Sequence, residues 1–123
     1  IAVDYLSSFS APTGTKYENR TLEVGAVSRE CKSLAQRLGC VVLAALQLKR
    51  AAKSSAKPYA HHLRDSGCIE QDADGILLLY RPDHEDADLP AQLLVAKNRW
   101  GELGSIELIP DLGNHRFGWS VGR

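Results

Sequence analysis

Two short apolar runs, separated by a densely charged segment, limit the folds available to this chain. The runs Val41–Leu48 and Ile76–Tyr80 are rich in aliphatic residues and too short for helices, so each is typical of a buried parallel strand. The segment Arg64–Asp74 between them contains five charged side chains and Gly67. Because α/β folds bind ligands in loops between such strands, the pattern predicts an α/β domain with a ligand-binding loop at residues 64–74.

A strand–helix–strand unit precedes this segment. Ile1–Leu6 is apolar and predicts a strand, and the Ser-, Thr-, Gly- and Pro-rich stretch Ser7–Asn19 predicts a loop. Apolar residues recur at helical spacing within Thr21–Leu38, and Gly39 supplies the stop. Val41–Leu48 follows at once, so we expect it to run parallel to the first strand through a right-handed crossover.

The C-terminal half predicts an antiparallel hairpin. Gln92–Lys97 and Ser105–Ile109 have the composition of strands, and a Gly-containing turn separates them. Arg116–Trp119 predicts a short edge strand, and Tyr59–Asp65 predicts a short helix. Trp100, in the turn of the hairpin, is expected to pack against the rest of the domain.

Composition narrows the function classes. The 123 residues suit one domain spanning residues 1–123, and no run approaches the roughly 20 apolar residues of a membrane helix. The three cysteines form no CxxC pair and the four histidines show no zinc spacing, which indicates a reduced, cytoplasmic protein without a zinc site. Residues 47–64 carry five cations and no acid, which fits either a nucleic-acid footprint or a solvated loop.

Four side chains at strand ends could act on a nucleotide. Asp4 could hold a magnesium-bound water beside phosphates, although many strands end in Asp. Gln47 could sense a terminal phosphate through its neutral amide, or simply cap its strand. Lys97 and Arg99, two residues apart on one strand face, could stabilise phosphoryl charge as an arginine finger does, or could be solvated charges on a surface hairpin.

The charged segment itself could hold a nucleic-acid strand. Arg64 can pair with a phosphate, and Gly67 lets a backbone N–H approach a phosphate oxygen. Asp65 could orient Arg64 or make its own polar contact. Such contacts bind a strand without reading bases, which suits a translocating enzyme. An alternative, compatible with the first, is a helix N-cap that begins a short helix through Glu70–Asp74.

Taken in order, these segments resemble the C-terminal motor domain of DnaB-type replicative DNA helicases, from the Walker B strand onward. The resemblance covers nearly the whole chain, and residues 64–74 are its most specific part. The chain departs from the family pattern mildly at Leu46, Lys49 and Asp65. The segments that carry the resemblance are Val3–Leu6, Ser28–Arg29, Lys32–Ala35, Ala45–Leu48 with Arg50, Leu63–Gly67, Ile69–Asp74, Tyr80–Arg81, Ala96–Arg99, Gly101 and Gly104.

The resemblance implies a RecA-like fold, with a partial parallel sheet, flanking helices and a C-terminal antiparallel hairpin. It implies a homo-hexameric ring that uses ATP and Mg²⁺, pulls single-stranded DNA through the ring, unwinds duplex DNA, and has a primase and a helicase loader as partners. By this resemblance Asp4 assists magnesium, Gln47 senses the terminal phosphate, and Lys97 and Arg99 reach the nucleotide of the neighbouring subunit. Three loop residues would lie on the DNA: Arg64, Asp65 and Gly67.

The most serious departure is that the sequence has no P-loop, GxxxxGK[ST], and no catalytic Glu upstream of Asp4. The chain also begins within a strand and has no Met, so we expect it to be the later part of a motor domain. We expect that this chain alone cannot hydrolyse ATP. We also expect it to self-associate through an apolar edge beside the Gln47 strand. Two alternatives remain. One is a non-enzymatic remnant that binds single-stranded DNA or docks on a helicase ring. The other is a related RecA-like ATPase, such as a recombinase or a clock-type ATPase, against which residues 64–74 argue.

Overall fold

The computed structural model describes residues 1–10, 17–48, 58–60, 66–82 and 89–119, and these residues confirm the α/β class. The chain forms two compact units. One unit contains Ile1–Lys49 and His61–Ala73, and the other contains Arg50–Ala60 and Asp74–Arg123. The first has a parallel strand pair with two helices, and the second has a four-stranded antiparallel sheet. Within the described ranges, no helix is both long enough and apolar enough to cross a membrane.

Helix α1, Arg20–Leu38, forms the core of the first unit and confirms the predicted helix. Asn19 caps its start, where its Oδ1 accepts a hydrogen bond of 3.0 Å from the Leu22 N–H. Gly39 ends it in the left-handed conformation, with φ at 60°, which a residue without Cβ adopts at little cost. Burial is concentrated in the N-terminal half of α1, where every residue of 24–28 is buried, whereas Leu38 at its end is exposed.

The strands on either side of α1 pair in parallel, as the sequence predicts. Strand β1 is Ala2–Val3 and strand β2 is Leu43–Ala44, with Ala2 opposite Leu43 and Val3 opposite Ala44. Both strands are shorter than predicted, and the chain turns into a 3₁₀ helix at Leu6–Ser8. The expectation that Val41–Leu48 is buried on both faces is wrong, because Val41 and Leu43 are 79% and 64% exposed. Burial of both faces needs helices packed on each side of the sheet, and among the described residues α1 packs mainly against the helix Ser66–Asp72 and the 3₁₀ helix.

The short helix α2, Ser66–Asp72, packs against α1 in the same unit. Ile69 is its buried anchor, at 4% exposure. Gly25 of α1 lies under Cys68, because a Cβ built at Gly25 would stand 3.0 Å from the Cys68 Sγ and 3.1 Å from its Cβ. The absence of a side chain at Gly25 therefore sets how closely the two helices approach. The predicted helix Tyr59–Asp65 lies outside the described residues from position 61 onward.

The second unit is an antiparallel sheet whose strands follow one another in chain order: β3 at Gly75–Tyr80, β4 at Ala91–Asn98, β5 at Gly104–Asp111 and β6 at Arg116–Trp119. The predicted hairpin and edge strand are confirmed as β4, β5 and β6. The prediction that Ile76–Tyr80 is a buried parallel strand is wrong, because β3 pairs antiparallel with β4. Its residues alternate between buried Ile76 and Leu78 and half-exposed Leu77 and Leu79, the pattern of a sheet covered on one face.

The turn between β5 and β6 is held by Asp111. Its two carboxylate oxygens accept hydrogen bonds of 3.1 and 3.0 Å from Asn114 Nδ2, and Arg116 Nε donates at 3.2 Å. The hydrogen bond from Asn114, followed by that from Arg116, holds the pKa of this exposed carboxyl below its usual value. His115 completes the turn in the left-handed conformation, with φ at 52°.

One face of the second unit's sheet remains apolar and exposed. The strand register places five large side chains on the same side, each between 40% and 69% exposed, and we call this set the apolar sheet face: Leu77, Leu79, Ile106, Phe117 and Trp119. Contiguous apolar surface of this kind promotes association in water. The apolar sheet face is thus a second candidate surface for self-association, in addition to the predicted edge beside β2, which stays a prediction.

We expect the isolated chain to self-associate and Leu79→Lys to weaken that association, because the substitution places a charge in the middle of the apolar sheet face. Sedimentation velocity at increasing protein concentration measures the effect. Glu107→Lys is the control, since Glu107 lies on the opposite side of the sheet. A wild-type chain that remains monomeric at high concentration contradicts the prediction.

We also expect Gly25→Ala to lower the free energy of unfolding by about 1 kcal/mol. Alanine favours a helix, but the added methyl group must displace Cys68, whose Cβ cannot rotate away. Chemical denaturation of the variant measures the change. Removing the Cys68 thiol as well, in Gly25→Ala/Cys68→Ala, should recover part of the loss, whereas equal losses in the single and double variants would show that the contact is not limiting.

Candidate functional site

Asp4 and Gln47 lie at the same edge of the parallel strand pair. Asp4 directly follows β1, and Gln47 lies three residues beyond β2, so both stand at the carboxyl ends of the strands. Both side chains are exposed. Since the carboxyl edge of parallel strands is where α/β proteins bind ligands, the pairing brings these two candidates to a suitable position.

The backbone bulges where Asp4 is located. The Ala45 N–H donates to the Val3 carbonyl at 2.9 Å, and the Ala45 carbonyl accepts from the Leu6 N–H at 2.9 Å. A regular parallel ladder would use the N–H of Tyr5, so the first strand contains one extra residue at Asp4–Tyr5. Bulges re-aim side chains beside functional sites, and this bulge ends the regular ladder at Asp4.

The carboxylate of Asp4 suits a water-mediated contact with magnesium. Mg²⁺ keeps several waters and is typically held by one or two carboxylates together with substrate phosphates. Among the described residues, no three His, Cys, Asp or Glu side chains come together in a group that could hold a metal ion. The exposed carboxylate of Asp4 could serve such an ion as one oxygen ligand or as the acceptor of a metal-bound water, and this role stays a prediction.

The residues of the predicted DNA-binding segment are described only in part. Arg64 and Asp65 lie outside the described residues, whereas Gly67 lies in the first turn of α2 and is exposed. Among the described residues, a Cβ built at Gly67 would meet nothing within 4 Å. Helix α2 confirms the alternative interpretation of a short helix in this segment, although it ends at Asp72 and not at Asp74. The predicted N-cap lies outside the described residues.

Lys97 and Arg99 belong to the second unit, at the end of β4. Lys97 lies opposite Ile76, and the pairing continues one step further because the Arg99 N–H donates to the Asp74 carbonyl at 2.8 Å. Lys97 is the last residue but one of β4 and Arg99 follows the strand end, so their predicted position on one face stays a prediction. Their assignment to a neighbouring nucleotide stays a prediction.

Arg99 also forms an ion pair that the sequence analysis missed. Its Nη1 lies 2.9 Å from Oδ1 of Asp74, and both side chains are about half exposed. Asp74 belongs to the charged segment but received no role from its sequence position. One feature of the sequence could have indicated this ion pair, namely the prediction that residues 76–80 form a strand. A carboxylate just before one strand can contact a cation just after the neighbouring strand when the two strands are antiparallel.

The turn after β4 is held by Asn98. Its Oδ1 accepts a hydrogen bond of 3.2 Å from the Trp100 N–H, and its Nδ2 donates to the Glu102 carbonyl at 3.4 Å. A Cβ at Gly101 would stand 2.8 Å from Asn98 Nδ2, so a glycine is needed for the amide to cover the turn. The expectation that Trp100 packs is wrong, because its side chain projects from this turn and is 84% exposed.

A family model described as the DnaB-like helicase C terminal domain matches residues 1–118. The chain belongs to this family. The replicative DNA helicase DnaB of Buchnera aphidicola subsp. Acyrthosiphon pisum is 40% identical over 114 residues, which are 88% of this chain and 24% of the relative. That of Mycobacterium leprae is 39% identical over 123 residues, 95% of this chain and 20% of the relative. The chain thus spans about a fifth to a quarter of the length of these relatives.

Solved structures of the DnaB-like family have the same fold. A solved ATPase domain matches with a TM-score of 0.81 and 32% identity, over 94% of this chain and 42% of that one. A DnaB-like replicative helicase, solved in a study of its interactions with primase, matches with a TM-score of 0.75 and 34% identity, over 87% of this chain and 26% of that one. The RecA-like assignment and the predicted family are confirmed. The matches favour a helicase over a recombinase or a clock-type ATPase.

We expect Asn98→Ala to lower the free energy of unfolding by about 1 kcal/mol, since it removes both hydrogen bonds that hold the turn. Trp100→Ala is the matched variant two residues further along the same turn, and its exposed ring predicts a change within about 0.5 kcal/mol. Chemical denaturation of the two variants measures the difference. A larger loss for Trp100→Ala than for Asn98→Ala would show that the ring packs after all.

Proposed function

We propose that this chain is part of the motor of an ATP-dependent replicative DNA helicase. The observation that carries the proposal is the placement of Asp4 and Gln47 at one carboxyl edge of a parallel strand pair, in a chain of the DnaB-like family. The complete motor is a cytoplasmic homo-hexamer that uses ATP and Mg²⁺, translocates on single-stranded DNA and unwinds duplex DNA. A solved relative described with primase supports a primase partner, and a helicase loader belongs to the same proposal.

Each candidate residue has a distinct role in nucleotide hydrolysis. Bound Mg²⁺ supplies positive charge to the phosphates. Asp4 would hold this ion through a carboxylate oxygen or through a metal-bound water, and Gln47 would donate its amide N–H to the terminal phosphate, so that it responds to loss of that phosphate. Lys97 and Arg99 stabilise the charge that develops on the transferred phosphoryl group of a neighbouring subunit's nucleotide.

The DNA contact belongs to residues 64–67. Arg64 neutralises a phosphate, Asp65 orients Arg64, and the exposed Gly67 admits the DNA backbone. These contacts read no bases, so the motor moves along any sequence. Since each neutralised phosphate releases counterions, affinity for single-stranded DNA falls as salt rises.

A non-enzymatic function is the alternative to this proposal. The 123 residues contain no GxxxxGK[ST] segment to cradle the β- and γ-phosphates. A free-standing chain of this sequence would bind single-stranded DNA, or dock on a helicase ring and offer Lys97 and Arg99 to its nucleotide. The encoding DNA separates the two functions: an in-frame GxxxxGK[ST] upstream of Ile1 supports the motor, and a start codon immediately before Ile1 supports the remnant.

In the full-length gene product, we expect Arg99→Ala to reduce ATP hydrolysis by about 10³-fold and to abolish unwinding of a forked duplex, because the transition-state charge loses its cation. Nucleotide binding should persist, since that residue acts from the neighbouring subunit. The purified 123-residue chain should show no ATP turnover. Steady-state hydrolysis and fluorescent-nucleotide binding measure these effects.

Arg116→Ala is the matched control for this experiment. Arg116 is an exposed arginine of the same unit and is likewise ion-paired with an aspartate, but it lies at the β5–β6 turn. It should hydrolyse ATP like the wild type. Wild-type turnover by Arg99→Ala would refute the role of Arg99, whereas failure of the full-length protein to unwind any forked duplex would refute the helicase proposal.

A further inference from the structure

We infer that Asp74 is a positioning residue that holds Arg99 ready for the nucleotide of the neighbouring subunit. The inference rests on the proposed function of Arg99 and adds to it a residue to which sequence reasoning gave no role. Two contacts join the same two residues. The Arg99 N–H donates to the Asp74 carbonyl at 2.8 Å, and Arg99 Nη1 lies 2.9 Å from Asp74 Oδ1.

The two contacts act on different parts of Arg99. The backbone hydrogen bond extends the β3–β4 pairing by one step beyond Gly75 and Asn98, so it fixes where the side chain leaves the sheet. The ion pair then restrains the guanidinium at the far end of a side chain that otherwise samples many rotamers. A group that is already held in one orientation loses less entropy when it meets a phosphate.

The ion pair leaves the guanidinium able to bind. The Arg99 and Asp74 side chains are 45% and 42% exposed, so the pair is accessible from solvent although Oδ1 itself is buried. Asp74 Oδ1 contacts Arg99 as an ion pair rather than as a directed hydrogen bond. A guanidinium has five N–H donors in a planar fork, and contact at Nη1 leaves others for an incoming anion.

The position of Asp74 in the chain gives this pair a second consequence. Helix α2 ends at Asp72, and one residue, Ala73, separates it from Asp74. The segment proposed to contact DNA is thus covalently continuous with the carboxylate that orients Arg99.

The test compares Asp74→Asn and Asp74→Glu in the full-length protein. We expect Asp74→Asn to lower kcat for ATP about tenfold with KM changed less than twofold, because positioning affects the transition state and not nucleotide binding. Asp74→Glu keeps the charge and should retain most of kcat. Asp111→Asn is the matched control, since it removes the carboxylate of the other aspartate–arginine pair of the same sheet and should leave kcat unchanged.

A double-mutant cycle separates positioning from a general effect on folding. In an Arg99→Ala background, Asp74→Asn should lower kcat less than twofold further, because the residue that it positions is gone. Additive losses would overturn the inference, as would an Asp74→Asn variant with wild-type kcat. If Asp74→Asn proves unstable on thermal unfolding, a kcat of Asp74→Glu as low as that of Arg99→Ala overturns it instead.

The proposed function can fail separately from the positioning role. Wild-type hydrolysis by Arg99→Ala refutes the role of Arg99 and removes the basis for any role of Asp74 through it. An inactive Arg99→Ala beside a fully active Asp74→Asn leaves the helicase proposal intact and refutes only the positioning role.

Discussion

The parallel pairing of β1 with β2 is the constraint on which the candidate nucleotide edge depends. Two strands can run parallel only if the chain crosses back between them, and α1 with its Asn19 and Gly39 caps supplies that crossover. The carboxyl ends of both strands then meet at one edge, which brings together Asp4 and Gln47 although 42 residues separate them in sequence. The bulge after Val3 ends the ladder at that edge and leaves Asp4 exposed.

In the second unit, polar contacts hold the turn after β4 and restrain the guanidinium of Arg99. Asn98 holds the turn through its amide, Gly101 leaves room for that amide, and Asp74 pairs with Arg99. These are polar contacts between exposed groups, each of modest strength in water. These contacts orient the side chains more than they add to the free energy of unfolding.

Sequence periodicity predicted which segments form helices and strands better than it predicted how the strands pair and which side chains are buried. The α1 stripe, the β4–β5 hairpin and the β6 edge were all found, because helical spacing and Gly-containing turns are local signals. The prediction that Ile76–Tyr80 forms a strand is correct, but the prediction that this strand is parallel is wrong. An aliphatic run fits either kind of sheet, and the strand with which it pairs depends on the rest of the chain. Trp100 was expected to pack because aromatic side chains usually do, yet its turn directs it outward.

The sequence by itself determined the class of the domain, its family and the residues placed at strand ends, because motif spacing and local propensity are properties of neighbours along the chain. Only the tertiary structure decided that Asp4 sits in a bulge beside β2, that β3 is antiparallel, and that Asp74 meets Arg99. Those contacts join residues distant in sequence. Their geometry is set by strand register and backbone hydrogen bonding, and neither is encoded in the spacing of any single segment.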